Sequence, residues 1–263
     1  ELLRSELFHT NQELNNLTRS LHKKNAQLAH LNTIKNQFLG MAAHDLRKPI
    51  SVILNYVEFL LDETGEQLDE EHTNFLNRIE NSAFFMKRLV DDFLDVSAIE
   101  AGRFQLNIAP VNPAEILERS LVLTQIQAGK KKISLDISVA PDLPEISLDA
   151  DKIEQAMSNV LGNAIEHSLA GTCISINLEE VDETIVFSVQ DQGVGMSQDA
   201  LKQLFAPFSK TGAVKTGGEK STGLGLTITR KIIEAHQGKI TAESEEGSGT
   251  TFTISLDKKR NNG

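Results

Sequence analysis

Leucines recur at positions 7, 14, 21 and 28 of this chain, and a second apolar set at 3, 17 and 31 ends on Phe38. The two sets alternate by four and three, which is the seam of a parallel coiled coil and predicts one long helix over 1–37. Thr10 and Lys24 fall on the second set, where polar residues weaken a seam while fixing its register. The helical pattern runs on to about Leu61 and stops at DETGEQLD around Gly65. It resumes from about Asp69 to Ala98, with Phe75, Leu76, Ile79, Ala83, Met86, Leu89, Val90, Phe93 and Leu94 at helical spacing. Two such helices form a hairpin over 38–100 with one wide apolar face. A lone hairpin cannot bury that face, so two copies pairing as a dimeric four-helix bundle is the expected arrangement.

Beyond Gly102 the period changes. FQLNI, ISLDISV, CISINLE, TIVFSVQD, KITAES and TTFTISL alternate as strands do, while 113–130, 150–167 and 223–236 read as helices. Because helices do not alternate regularly with the strands, the pattern predicts an α+β sandwich over 103–257, not a doubly wound parallel sheet. The whole chain therefore reads as multidomain: a coiled coil and an all-α hairpin, then an α+β sandwich.

Charge and composition narrow the partners. The net charge is −11, and the only basic runs are Lys130-Lys131-Lys132 and Lys258-Lys259-Arg260. Phosphate neutralisation over a broad surface is missing, which disfavours nucleic acid. Cys173 is the single cysteine, so no internal disulfide framework exists and a reducing, cytoplasmic setting is expected. The longest apolar run, PISVILNYVEFLL, is interrupted by Asn55 and Glu58 and falls short of the roughly 18 residues of a membrane span. Glu1 already lies inside the helical repeat. The chain is thus expected to be part of something longer, whose preceding segment could carry a membrane anchor.

Three stretches carry chemistry. In QAMSNVLGNAIEHS, Asn159, Asn163 and His167 are four apart and share a helix face. An Asn carbonyl is a hard oxygen suited to Mg²⁺ held jointly with nucleotide phosphates, although the same spacing also occurs as simple surface polarity. In DQGVGM, Asp191 ends a strand and can accept from an exocyclic amine, while Gly193 and Gly195 permit a tight turn beside a flat ligand. In STGLGLTITRKII, Gly223 and Gly225 open a helix, where backbone N–H groups and the helix dipole favour phosphate. Between the last two lies LFAPFSKTGAVKTGGEKST, long enough for a lid over phosphates, with Phe205, Pro207 and Phe208 as its hinge packing.

A fourth stretch is AAHDLRKPI, in which His44, Asp45, Arg47, Lys48 and the helix-breaking Pro49 interrupt an apolar helical pattern. His44 lies about 200° around the helix from Ala42 and so is expected to leave the bundle core. Pro49 removes the partner of the Asp45 carbonyl, which lets the helix bend there.

In order and spacing these pieces resemble a sensor histidine kinase of the two-component signalling families. The boxes that carry the resemblance are FLGMAAHDLRKPI, NVLGNAIEHS, DQGVGM, LFAPF, TGLGL and GSGTTFTISL, which together cover nearly the whole chain. The resemblance implies a homodimeric phosphotransfer hairpin, an ATP-binding domain of the type shared with gyrase and heat-shock chaperones, an upstream sensor module and a response-regulator partner with a receiver aspartate. It implies phosphorylation of His44 with Asp45 orienting the ring, Asn163 as a Mg²⁺ ligand, Asn159 near the phosphates and Asp191 on the adenine amino group. His167, Gly193, Gly195, Lys210, Thr222, Gly223, Leu224, Gly225 and Leu226 complete the expected ATP contacts. Chaperone-type ATPases carry a glutamate where Asn159 stands; an amide cannot take a proton from water, which favours transfer over hydrolysis. An ATPase of that type and a non-catalytic dimer scaffold are the competing readings.

Three positions depart from the family pattern. Lys48 stands where Thr or Asn often orients a water for dephosphorylating the partner, so weak phosphatase activity is expected. Glu166 stands where lysine is common, and Lys210 or Lys215 could supply the missing charge. Ser221 replaces a glycine ahead of TGLGL, which is expected to weaken ATP binding without abolishing it.

Overall fold

The computed structural model describes residues 2–64, 68–100, 104–207, 209 and 223–258. The chain divides into two compact units, Glu1–Phe104 and Gln105–Gly263.

The first unit is two helices. Helix α1, Leu2–Thr64, runs unbroken through Pro49, and α2 spans Glu70–Glu100. The bend expected at Pro49 thus does not end the helix, and the coiled-coil segment and the first hairpin helix are one element. Asp69 starts α2 by accepting from the His72 amide at 2.8 Å, the usual service of an N-cap carboxylate. Ala43, Ile50 and Val57 on α1, spaced by seven, are buried, as is Ala83 on α2. An α1–α2 tie crosses the hairpin where Arg47 Nε and Nη2 both donate to Asp91 Oδ1. Much apolar surface stays exposed, including Tyr56, Phe59, Phe75 and Phe84, and along the seam Leu14, Leu17, Leu21 and Leu31 are 53–62% exposed.

The second unit has two layers. A five-stranded sheet runs in the order β2-β4-β5-β7-β6, from β2 (Ser134–Val139), β4 (Cys173–Val181), β5 (Thr184–Gln190), β6 (Lys239–Glu245) and β7 (Gly249–Asp257). Only β2 and β4 are parallel. Alternation buries one face: Ile176 pairs with Val189, Val189 with Phe252, and Phe187 with both Leu178 and Ile254. Helices α3 (Pro113–Lys130), α4 (Ala150–His167) and α6 (Gly225–Ala235) provide the other layer. A two-stranded antiparallel ribbon joins β1 (Ala109–Val111) to β3 (Ile146–Leu148).

Three details differ from the sequence expectation. FQLNI, 104–108, forms no strand; pairing begins at Ala109, because the partner β3 is only three residues long and its register matches Ala109 to Leu148. Neither β3 nor the short helix α5, Gln198–Gln203, is evident from periodicity. Gly223 lies ahead of α6 at φ +69°, and the helix begins at Gly225.

Candidate functional site

The α4 helix sets two of the expected residues by packing. Ile153, Ala156, Met157, Val160, Leu161, Ala164 and Ile165 are buried at three and four spacing, which leaves Asn159 and Asn163 half-buried along another line of the helix. Asp149 caps its start through the Lys152 amide, 3.1 Å from Oδ1. At its end Lys131 Nζ donates to the carbonyls of Ile165 and Glu166, at 2.9 and 3.3 Å, so a cation meets the negative end of the helix. Part of the basic run at 130–132 is thereby accounted for.

Asn159 ties α4 to α6: its Nδ2 donates to Gly225 O at 3.3 Å and Thr229 Oγ1 at 3.4 Å. Asn163 Nδ2 donates to the Asn159 carbonyl at 2.9 Å. Among the described residues this bond uses the nitrogen, and the hard carbonyl oxygen is the group that suits a cation. Among the described residues no set of three or more His, Cys, Asp and Glu could hold a metal alone. Asn163 therefore fits Mg²⁺ of the kind bound mainly through phosphate and water, with one protein oxygen.

Asp191 ends β5 and is 3% exposed. Its Oδ1 accepts from the amides of Gly193 at 2.8 Å and Thr250 at 3.2 Å, while its own amide donates to Thr250 O. Burial pushes the carboxyl above its ordinary value, and the two amide bonds partly offset that. The turn after it is held from outside. Ser244 Oγ accepts the Met196 amide at 2.9 Å and lies within bonding distance of Gly249 O and Thr250 Oγ1. The glycines make room for protein backbone: a Cβ on Gly193 would lie 2.4 Å from the His167 carbonyl, and one on Gly195, at φ +64°, 1.9 Å from the Glu245 carbonyl. The expected close approach is thus first an approach of the chain to itself. His167 enters this geometry through its carbonyl.

At the start of α6, Leu224 is buried and Leu226 half-buried, and no side-chain hydrogen bond caps the helix among the described residues. Its first-turn amides are the type of donor set that binds anions. Thr227 Oγ1 donates to Phe205 O at 3.1 Å and the Arg230 guanidinium carbon sits 5.8 Å from the centre of the Phe205 ring, so the turn after α5 is pinned to α6. Phe205 thus packs on α6, while most of the expected lid lies outside the described residues. Lys210, Thr222, Lys215, Ser221 and Phe208 lie outside the described residues.

In the first unit His44 is 62% exposed, and its Nδ1 lies 3.3 Å from Asp45 Oδ1. The buried neighbour is Ala43, with Ala42 half-buried, so the helix phase is shifted by one residue from the expected one while His44 still points away from the core. Lys48 is exposed one turn on.

Ser244, Thr250, Thr229 and Lys131 are missing from the sequence reading. Thr250 lies in the GSGTTFTISL box, Thr229 in STGLGLTITRKII and Lys131 in the basic run, but their roles depend on which strands and helices meet.

Comparison with known proteins follows this division. Residues 34–102 match the family model described as the His Kinase A (phospho-acceptor) domain, and 148–260 match the one described as Histidine kinase-, DNA gyrase B-, and HSP90-like ATPase. The cell-division control histidine kinase PdhS of Brucella canis is 28% identical over 255 residues, covering 93% of this chain and 24% of that protein. The chain thus spans about a quarter of the length of that relative. Among solved structures, full-length ShkA in complex with AMPPNP is similar with a TM-score of 0.67 and 26% identity, over 84% of this chain and 45% of that one. The catalytic domain of histidine kinase ThkA is 30% identical with a TM-score of 0.51, over 58% of this chain and 97% of that one. With its phospho-acceptor box on a helical hairpin and its asparagine and glycine boxes gathered on one sandwich, the chain belongs to the histidine kinase family.

Proposed function

We propose that this chain is the catalytic core of a sensor kinase that phosphorylates His44 from ATP and passes the phosphoryl group to a receiver aspartate of a response regulator. The observation that carries the reading is the exposed His44 imidazole with Asp45 beside Nδ1. A carboxylate there holds the Nδ1 proton and leaves the Nε2 lone pair outward for attack. In the first step the Nε2–P bond forms, the bond from the γ-phosphorus to the bridging oxygen breaks, and ADP departs with that electron pair. Asp45 stabilises the positive charge that develops on the ring. In the second step a carboxylate oxygen of the partner attacks phosphorus, the P–N bond breaks, and His44 returns to neutral imidazole.

Asp191 would read the adenine amino group through its carboxylate, and the first-turn amides of α6 would take the phosphates, with Gly193, Gly195, Gly223 and Gly225 shaping the two turns. Asn159 would hold α6 at that position, and Lys210 and Thr222 would reach the phosphates from the expected lid. When bound, Mg²⁺ supplies neutralisation of phosphate charge, and Asn163 would be its protein ligand. Catalysis then rests on positioning and charge, with no general base at position 159. The exposed seam leucines and stem aromatics favour a homodimer closing a four-helix bundle, with sensor input arriving through α1.

Incubation with γ-labelled ATP tests this. The expected result is acid-labile, base-stable label that disappears in His44→Gln. Free phosphate without label would point to an ATPase, and neither product to a scaffold.

A further inference from the structure

Helix α6 is tied to α4 at two points. Near its start, Gly225 O and Thr229 Oγ1 accept from Asn159. Past its end, His236 is 1% exposed and bonded on both ring nitrogens. Nδ1 lies 2.8 Å from the Ile232 carbonyl, which only accepts, so Nδ1 carries the proton. Nε2 then has a lone pair, and it accepts the Asp149 backbone amide at 3.0 Å. Burial holds the ring's pKa below its ordinary value, against the opposing pull of the Ile232 bond and the Asp149 charge, which keeps this neutral tautomer in place. The amide it grips is itself fixed, because Asp149 caps α4 through Oδ1 and accepts the Asn107 amide at 2.7 Å through Oδ2.

Besides these ties and the Thr227 bond to the Phe205 carbonyl, α6 packs through fully buried Ile228, Ile232 and Ile233. Such packing resists separation but is non-directional and fixes no single bond length. A hydrogen bond to a fixed amide has a set length and direction. We infer that His236 is a positioning residue for the nucleotide phosphates: by locking the C-terminal end of α6 to the start of α4, it sets how far the α6 N-terminus, roughly 16 Å away along the helix, projects beside Asn159. The inference rests on the proposed function, which puts phosphates at that N-terminus.

Two substitutions separate the two bonds of the ring. His236→Gln keeps an acceptor near the Nε2 position and so keeps the Asp149 tie; His236→Asn keeps a donor near the Nδ1 position and loses it. Each protein is titrated with a non-hydrolysable ATP analogue and with AMP, with thermal melts in parallel. The expected result is wild-type affinity for both ligands in the Gln variant. In the Asn variant the triphosphate should bind about tenfold more weakly, as loss of one well-formed bond implies, while AMP binds as before. Equal triphosphate affinity in the two variants, or an equal loss for AMP, would overturn the inference. Should the Asn variant not fold, the Gln variant still decides against the inference if it loses triphosphate affinity tenfold. A wild-type protein that binds no nucleotide would instead remove the functional reading beneath it.

Discussion

Asp191→Asn separates the function of a residue from its contribution to folding. In the native protein its Oδ1 accepts two backbone amides, and an Asn oxygen can accept both in the same geometry. What changes is Oδ2, which becomes an NH₂ donor where the proposed adenine amine would need an acceptor. The loss is a hydrogen bond to a charged acceptor, about 1.5–3 kcal/mol, or roughly 10- to 150-fold in Kd. Folding should respond in the other direction. Burial raises the carboxyl's pKa in the folded chain, so the native state binds that proton more tightly than the unfolded state does. The stabilisation is fully present below the unfolded value and is lost as pH rises through the folded one, so at neutral pH the buried charge is a net burden that the amide removes. Calorimetric titration with an ATP analogue should therefore show the affinity loss, while melts at pH 7.5 show a midpoint equal to or above that of the wild type. A variant that melts well below the wild type at pH 7.5, or one that keeps full affinity, would refute the reasoning.

Other outcomes follow from single positions. Gly195→Ala would drive a Cβ to 1.9 Å from the Glu245 carbonyl at φ +64°, costing at least about 2 kcal/mol and lowering the melting midpoint by roughly 4–8 °C. Gly162→Ala, inside α4 with nothing within 4 Å of the added carbon, should instead stabilise by about 0.5–1 kcal/mol; the two melts have opposite signs. His236 is held neutral by burial, so its contribution is complete above the unfolded value near 6.5 and declines as pH falls below it. Melts of wild type and His236→Gln between pH 7.5 and 5.5 should converge or cross in favour of the variant, and parallel curves would count against this. Lys48→Thr replaces an exposed donor with a group that can also accept from water, so dephosphorylation of a cognate regulator should speed up, as measured by decay of its labelled aspartate.

Much of this architecture is legible from period alone. The long helices show because their apolar residues recur by three, four and seven over dozens of positions, and β4, β5 and β7 show because one face of each is buried. β3 and α5, three and six residues long, are too short to establish a period. FQLNI alternates correctly yet finds no partner strand, since pairing is decided by what lies opposite. The same limit applies to the site. Asn159, Asn163, Asp191 and the paired glycines are visible as spacings within one segment. Ser244 and Thr250 act through contacts that exist only once the sheet is ordered, and Lys131 through one that exists only once α3 packs on α4. For the glycines the structure adds a requirement that spacing does not show, because a Cβ on Gly193 or Gly195 would meet the protein's own carbonyls.

From Leu2 to His44 the backbone is a single α-helix, a shaft of roughly 63 Å at 1.5 Å per residue. No loop interrupts it, so torque applied at one end reaches the imidazole at the other through helix alone. Gly40 is its most pliant point, and a methyl group there would touch nothing within 4 Å. Compliance can therefore be tuned one turn ahead of His44 without a clash inside the hairpin, which makes torsional stiffness a quantity that a single alanine can change.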